Sequence, residues 1–190
     1  MRTAIAHLRS TSTYGQSKQY GQNEEGRAAN ESFDEYERRT WKERGHWDKD
    51  GQMFIPPIQF KNALTDAAGL LNEKIPGQGN KKWKSHFVSG VMVTEGITLA
   101  VTRDSVEGIW VGCSSTGAPG GGRRVQKCFP IVPSWEGKVT FYILDDEITK
   151  EVFEKHLRTA GLMVGIGYWR GIRGGTYGRF EIASLSWGKL

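Results

Sequence analysis

The chain has 190 residues, of which 26 are Lys or Arg and 21 Asp or Glu, for a net charge of +5 and a hydrophobic share of 37%. That length and composition fit one globular domain with a real core and exclude extended disorder over most of the chain. No run approaches the roughly 18 apolar residues of a membrane-crossing helix, and polar residues interrupt the opening MRTAIAHLRS too soon for a signal peptide, so a cytoplasmic protein with no membrane partner is expected.

Residues 2–8 (RTAIAHL) alternate and read as a first strand. Residues 9–53 then form a polar and aromatic insertion, poor in aliphatics but carrying Tyr14, Tyr20, Phe33, Tyr36, Trp41 and Trp47. Disordered linkers lack aromatics, so this stretch reads as a mobile loop or a binding insertion. After Phe54-Ile55-Pro56-Pro57, an apolar stripe of Phe60, Leu64, Ala67, Ala68 and Leu71 predicts a helix that ends before Pro76-Gly77.

Residues 86–101 are rich in β-branched residues and are expected as one or two strands. Residues 109–128 predict a long hairpin whose tip is the glycine-rich Gly112–Gly122, with Arg123, Arg124 and Lys127 on its return arm. Residues 138–144 (KVTFYIL) predict a strand. Thr149 then caps a helix that buries Val152, Phe153, Leu157 and Ala160 and stops at Gly161. A glycine-rich loop over 161–180 leads into a last strand, FEIASLSW.

The whole chain, 1–190, is thus expected to be one α+β, ferredoxin-like (RRM-like) βαββαβ domain. It would carry a long insertion after strand 1, a hairpin thumb and a C-terminal glycine-rich loop. Such a sheet, covered by helices on one face, leaves its other face open, as RNA-binding domains use it.

The glycine-rich loop carries the most chemistry. Glycines let a phosphate backbone approach main-chain N–H groups. Arg170, Arg173 and Arg179 supply charge, while Tyr168, Trp169 and Tyr177 offer faces for base stacking. Tyr14, Lys18, Arg44 and His46 of the insertion are further candidates for nucleic-acid contact. A dinucleotide fingerprint fails because Arg170 stands where glycine is needed, and a P-loop from Gly112 meets Ala118-Pro119 in place of Lys and Ser/Thr. There is no CxxC pair or HExxH cluster, and Cys113 and Cys128 read as unpaired thiols, so neither metal nor cofactor is expected. His46 among cations could act as a general acid or base in metal-independent RNA cleavage, but a histidine that stacks or hydrogen-bonds in a binding loop is the stronger expectation. His7, His86 and His156 read as structural.

Two segments resemble the RAMP superfamily, the RRM-like repeat-associated proteins of CRISPR effector complexes. Phe54-Ile55-Pro56-Pro57-Ile58-Gln59-Phe60-Lys61-Asn62-Ala63-Leu64 is similar to the segment that opens that family's first helix, with Pro57 and Asn62 where glycines are usual. GIGYWRGIRGGTYGRFEI is similar to its C-terminal glycine-rich loop. The nearest subgroup is the backbone subunits that polymerise along a guide RNA. The resemblance implies that Lys61 and Asn62 touch RNA phosphates, that the Arg123–Lys127 hairpin is a thumb between nucleotide groups, and that Asp34 could match an acidic residue used to cut target RNA. It implies a non-catalytic partner of RNA, or of single-stranded DNA, working beside copies of itself or related subunits in a filament. A viral mimic that blocks effector assembly is the alternative, with a metal-independent endoribonuclease the third.

Overall fold

The computed structural model describes residues 1–18, 26–114 and 124–189. In chain order these form β1 (Arg2–Ser10), β2 (Tyr14–Gly15), α1 (Phe33–Thr40), a 3-10 turn at Trp41–Arg44, β3 (Gln52–Ile55) and α2 (Pro57–Leu71). Then come α3 (Trp83–Gly90), β4 (Val91–Val93), β5 (Ile97–Thr102), β6 (Glu107–Ser114), β7 (Arg124–Val132) and β8 (Glu136–Ile143). α4 (Lys150–Thr159) continues into a π turn at Ala160–Val164, and a 3-10 turn at Gly171–Arg173 precedes β9 (Phe180–Lys189).

Period-two burial builds the central sheet. Ala4, Ala6 and Leu8 on β1 and Val139, Phe141 and Ile143 on β8 are buried, while Ile5, one residue out of phase, is 42% exposed. The buried side packs against Phe60, Ala63, Leu64 and Ala67 of α2 and Phe153 and Leu157 of α4. The Phe141 and Phe153 rings meet edge to face at 5.2 Å. Strand order in this sheet is β4-β8-β1-β9, antiparallel throughout. A second sheet, β2-β7-β6, carries the hairpin, in which Ser114 pairs with Arg124, and β3 pairs with β5. The result is a mixed α+β fold of antiparallel sheets and four α-helices among the described residues, compatible with a ferredoxin-like domain.

Two expectations are corrected. Residues 86–90, read as strand, complete helix α3. Trp83, Phe87 and Gly90 are its buried residues, and their i, i+4, i+7 spacing gives one apolar face. The Lys61 ammonium caps its C-terminal end by donating to the carbonyls of Phe87 and Val88. Gly161 does not stop α4: it lies inside the π turn, where a Cβ would sit 2.1 Å from the Phe180 carbonyl oxygen, so glycine is there for close packing on β9. The chain turns away only at Gly165, whose N–H donates to Ala160 O at 2.8 Å.

The described part of the 9–53 insertion is built structure. Ser32 and Glu35 form a reciprocal capping box on α1, and β2 and β3 each join a sheet. Residues 19–25 and most of the hairpin tip, 115–123, lie outside the described residues, and Tyr20 and Arg123 with them. Cys113 and Cys128 are free: Trp110, not Cys113, faces Cys128 across the hairpin. Burial pushes the Cys128 thiol up to about 11.

Candidate nucleic-acid interface

Between Gly165 and Gly178 the glycine-rich loop is exposed only in its middle, at Ile172–Gly174 and Thr176. Its two ends are threaded inward by main-chain bonds: Ile166 N–H donates to Gly178 O at 3.0 Å, Gly178 N–H to Thr13 O at 2.7 Å, and Tyr168 N–H to Gly15 O at 2.8 Å. Gly178 has φ +72°, and a Cβ there would fall 1.8 Å from Ile166 O, so only glycine closes the loop at this point. Between these anchors Trp169 holds φ +54°, a left-handed conformation that a bulky residue adopts only when its surroundings enforce it.

The anchored loop faces α2 and the insertion across a cleft of about 320 Å³ lined by Ser17, His46, Gln59, Asn62, Gly167, Tyr168 and Arg170. Gln59 and Asn62 are three residues apart near the start of α2, the spacing that puts two side chains on one helix face. The fully buried Tyr14 donates its hydroxyl to Gln59 Oε1 at 2.9 Å. With its oxygen engaged, Gln59 keeps its amide N–H groups for a ligand. Gln16 braces this frame, donating to the Tyr14 hydroxyl at 3.1 Å and to Phe54 O at 2.8 Å and accepting from His46 N–H at 2.5 Å. Burial of Tyr14 pushes its hydroxyl pKa far up, so it stays a neutral donor.

Aromatic rings back the cleft. Phe129 and Tyr168 stack at 4.3 Å and 19°, Tyr168 and Trp169 lie 4.5 Å apart, and Tyr177 meets Trp169 edge to face at 5.6 Å. His46 sits at the cleft with its pKa lowered, first by burial and then by the positive charge of Lys18, so its imidazole is neutral at neutral pH. Arg170 is held by Asp66, Nη2 to Oδ2 at 3.3 Å. Part of its charge is therefore already answered within the protein.

The expected site residues separate into four groups. His46, Asn62 and Arg170 converge on the cleft, with Trp169 and Tyr177 beside it and Lys18 exposed next to Ser17. Arg173 is exposed on the outer turn of the loop, and Arg179 is half-buried, with a buried Nε. Arg124 lines a different cleft of about 610 Å³ between the hairpin and α1, together with Arg27, Phe33 and Asp34; Lys127 lies further along β7, opposite Val111. Tyr14, Arg44 and Lys61 point elsewhere. Tyr14 is interior and offers no stacking face. Arg44 grips the buried Glu37, with Nη2 donating to Oε2 at 2.9 Å, and its Nη1 donates to Cys128 O at 3.0 Å. Lys61 spends its ammonium on the end of α3, so a phosphate contact would have to break that cap.

Ser17 and Gln59 are cleft residues absent from the expected set. Gln59 was readable as the residue one turn before Asn62 on the same helix face; nothing in the sequence marks Ser17. Among the described residues no three His, Cys, Asp or Glu side chains gather as metal ligands, and no helix is long and apolar enough to cross a membrane.

No family model matches the chain, and no curated protein matches it. A search of solved structures finds similarity to a chain of the Type III-B Cmr-beta complex, a cryo-EM structure bound to cognate target RNA. The TM-score is 0.47 at 14% identity, over 99% of this chain and 61% of that one. This chain therefore spans about three fifths of that protein's length. At that level of superposition the likeness adds no weight to a reading of the site.

Proposed function

We propose that this protein binds single-stranded RNA, with the cleft between α2 and the glycine-rich loop as the place where the strand is held. The observation that carries this reading is the meeting of an aromatic cluster with side-chain amide donors and the loop's main chain in one groove. Stacking on Tyr168 and Trp169 suits any unpaired base, and the Gln59 and Asn62 amides suit phosphate oxygens or base edges. In this reading the domain is a ferredoxin-like subunit of a ribonucleoprotein, in keeping with the RAMP-like segments at Phe54–Leu64 and 165–182. It holds RNA without cutting it.

The test is a gel-shift series with a labelled RNA strand, the same sequence as single-stranded DNA, and a duplex, at two salt concentrations. RNA should bind tightest, with affinity falling as salt rises because phosphate neutralisation releases counterions. Tyr168→Ala should weaken RNA binding by about 1–3 kcal/mol, the worth of one stacked base, while the RNA is recovered intact. Equal affinity of Tyr168→Ala and wild type would remove the cleft from the site. Cleavage in EDTA that His46→Ala abolishes would make the protein a nuclease.

A further inference from the structure

β9 is the outer strand of the central sheet, and on its far side no described residue pairs with it. It runs for ten residues, against three for β4 at the opposite edge. An unpaired row of N–H and C=O groups is a template for another strand, and proteins ordinarily guard such an edge with charge, proline or shortness. Here Ile182 to Gly188 contains neither charge nor proline. A register shift between Ile182 and Ser184 bends the start of the strand, but Ser184–Lys189 runs on in regular register with His7–Arg2.

We infer that two copies of this chain pair through β9, antiparallel about a two-fold axis at Ser186, to form one continuous sheet. The register that places the axis there sets Leu185 opposite the partner's Trp187, and Ser184 opposite the partner's Gly188. Leu185 and Trp187 pair with Ala6 and Ala4 on the buried face of β1, and both remain half-buried in the single chain. Trp187 already touches Phe153, at 5.6 Å, and lies under the Arg2 guanidinium. The partner's Leu185 would cover its remaining surface, twice over by symmetry. On the other face the pairing brings together only Ser184, Ser186 and Gly188, so nothing charged or bulky opposes it. An unrelated strand would fit the backbone equally well, but the aliphatic–aromatic match comes from β9 itself.

The pairing is independent of the RNA reading and is tested without nucleic acid. Light scattering or sedimentation of the full chain across a dilution series should give twice the 21.3 kDa of one chain at high concentration, shifting towards one chain on dilution. Ser186→Lys changes an exposed residue and sets two ammonium groups against each other across the axis, so it should give single chains with unchanged circular dichroism. In a Cys113→Ser background, Ser186→Cys should form a covalent dimer on mild oxidation, because residues facing across an antiparallel pair lie within disulfide reach. A wild type that stays single at every concentration, an assembly that survives Ser186→Lys, or a Ser186→Cys variant that does not cross-link overturns the inference.

Discussion

Glu37 is 4% exposed, and both its oxygens are spoken for: Arg44 grips the two of them, and Cys128 N–H donates to Oε1 at 2.6 Å. The pair ties the insertion helix α1 and the turn after it to the hairpin strand β7. Removing one member of such a pair leaves the other charged, buried and unanswered. Glu37→Ala should therefore cost about 3–5 kcal/mol in a urea unfolding experiment, and Arg44→Lys should also destabilise, because an ammonium cannot reproduce the two-pronged contact. RNA affinity measured under folding conditions should change little. A large affinity loss with no loss of stability would return Arg44 to the binding surface. The sequence places Arg44 among Arg38, Arg39 and Lys42 and gives no sign that its counter-charge lies seven residues earlier on a helix inside a polar insertion. Net charge locates cations along the chain, not their partners in space.

At the scale of elements, what the sequence revealed depended on how local the cause was. The first strand, α2, the KVTFYIL strand and the Thr149 cap of the helix after it are written in periodicity and caps within a dozen residues, and each stands where expected. α3 was hidden because its apolar face is only Trp83, Phe87 and Gly90, and the β-branched run that comes after it masks the change of period. The π turn after α4 depends on Phe180, nineteen residues on from Gly161, and no local pattern reports it. The glycine-rich loop lies between these cases: its composition gives a loop that glycine and arginine residues dominate, but its anchoring to Thr13 and Gly15 is a long-range fact. Gly178→Ala tests that anchoring. The residue needs positive φ, and the added methyl would meet the Ile166 carbonyl. The variant should lose at least about 1–2 kcal/mol of stability and lose RNA affinity with it, since Ile166 and Tyr168 are positioned by the same main-chain ladder. Gly174, also at positive φ but in open space at the loop's tip, should tolerate alanine better. Equal cost at the two positions would mean that the ladder does not set the loop.

For the molecule as a whole, two imidazoles set how stability responds to mild acid. His156 is 1% exposed and stacked on Phe87 at 4.4 Å; burial lowers its pKa below the ordinary 6.5, against the smaller raising effects of the Val152 carbonyl and Glu73. His46 is shifted the same way by burial and by Lys18. A histidine held below its unfolded value takes its proton in the unfolded chain first. Stability is therefore whole above the ordinary 6.5 and falls as pH drops from there towards the folded values. For His156 the loss is at most about 1.4 kcal/mol per pH unit across that window, and for the half-buried His46 it is smaller, because water screens its charge. Glu31, Glu35 and Glu151 are also shifted down, but from 4.5, so they begin to act only in stronger acid and leave this window to the histidines. The Nδ1 of His156 lies 2.7 Å from Val152 O and is its donor in the neutral ring, while Nε2 is buried without a partner. His156→Phe keeps the stack on Phe87 and removes both the orphan nitrogen and the proton site. Its urea midpoint should fall less between about pH 7 and pH 5 than that of wild type, and adding His46→Asn should flatten most of what remains. A wild-type midpoint that rises as pH falls through this range would mean that the folded protein favours the charged imidazoles, contrary to their burial.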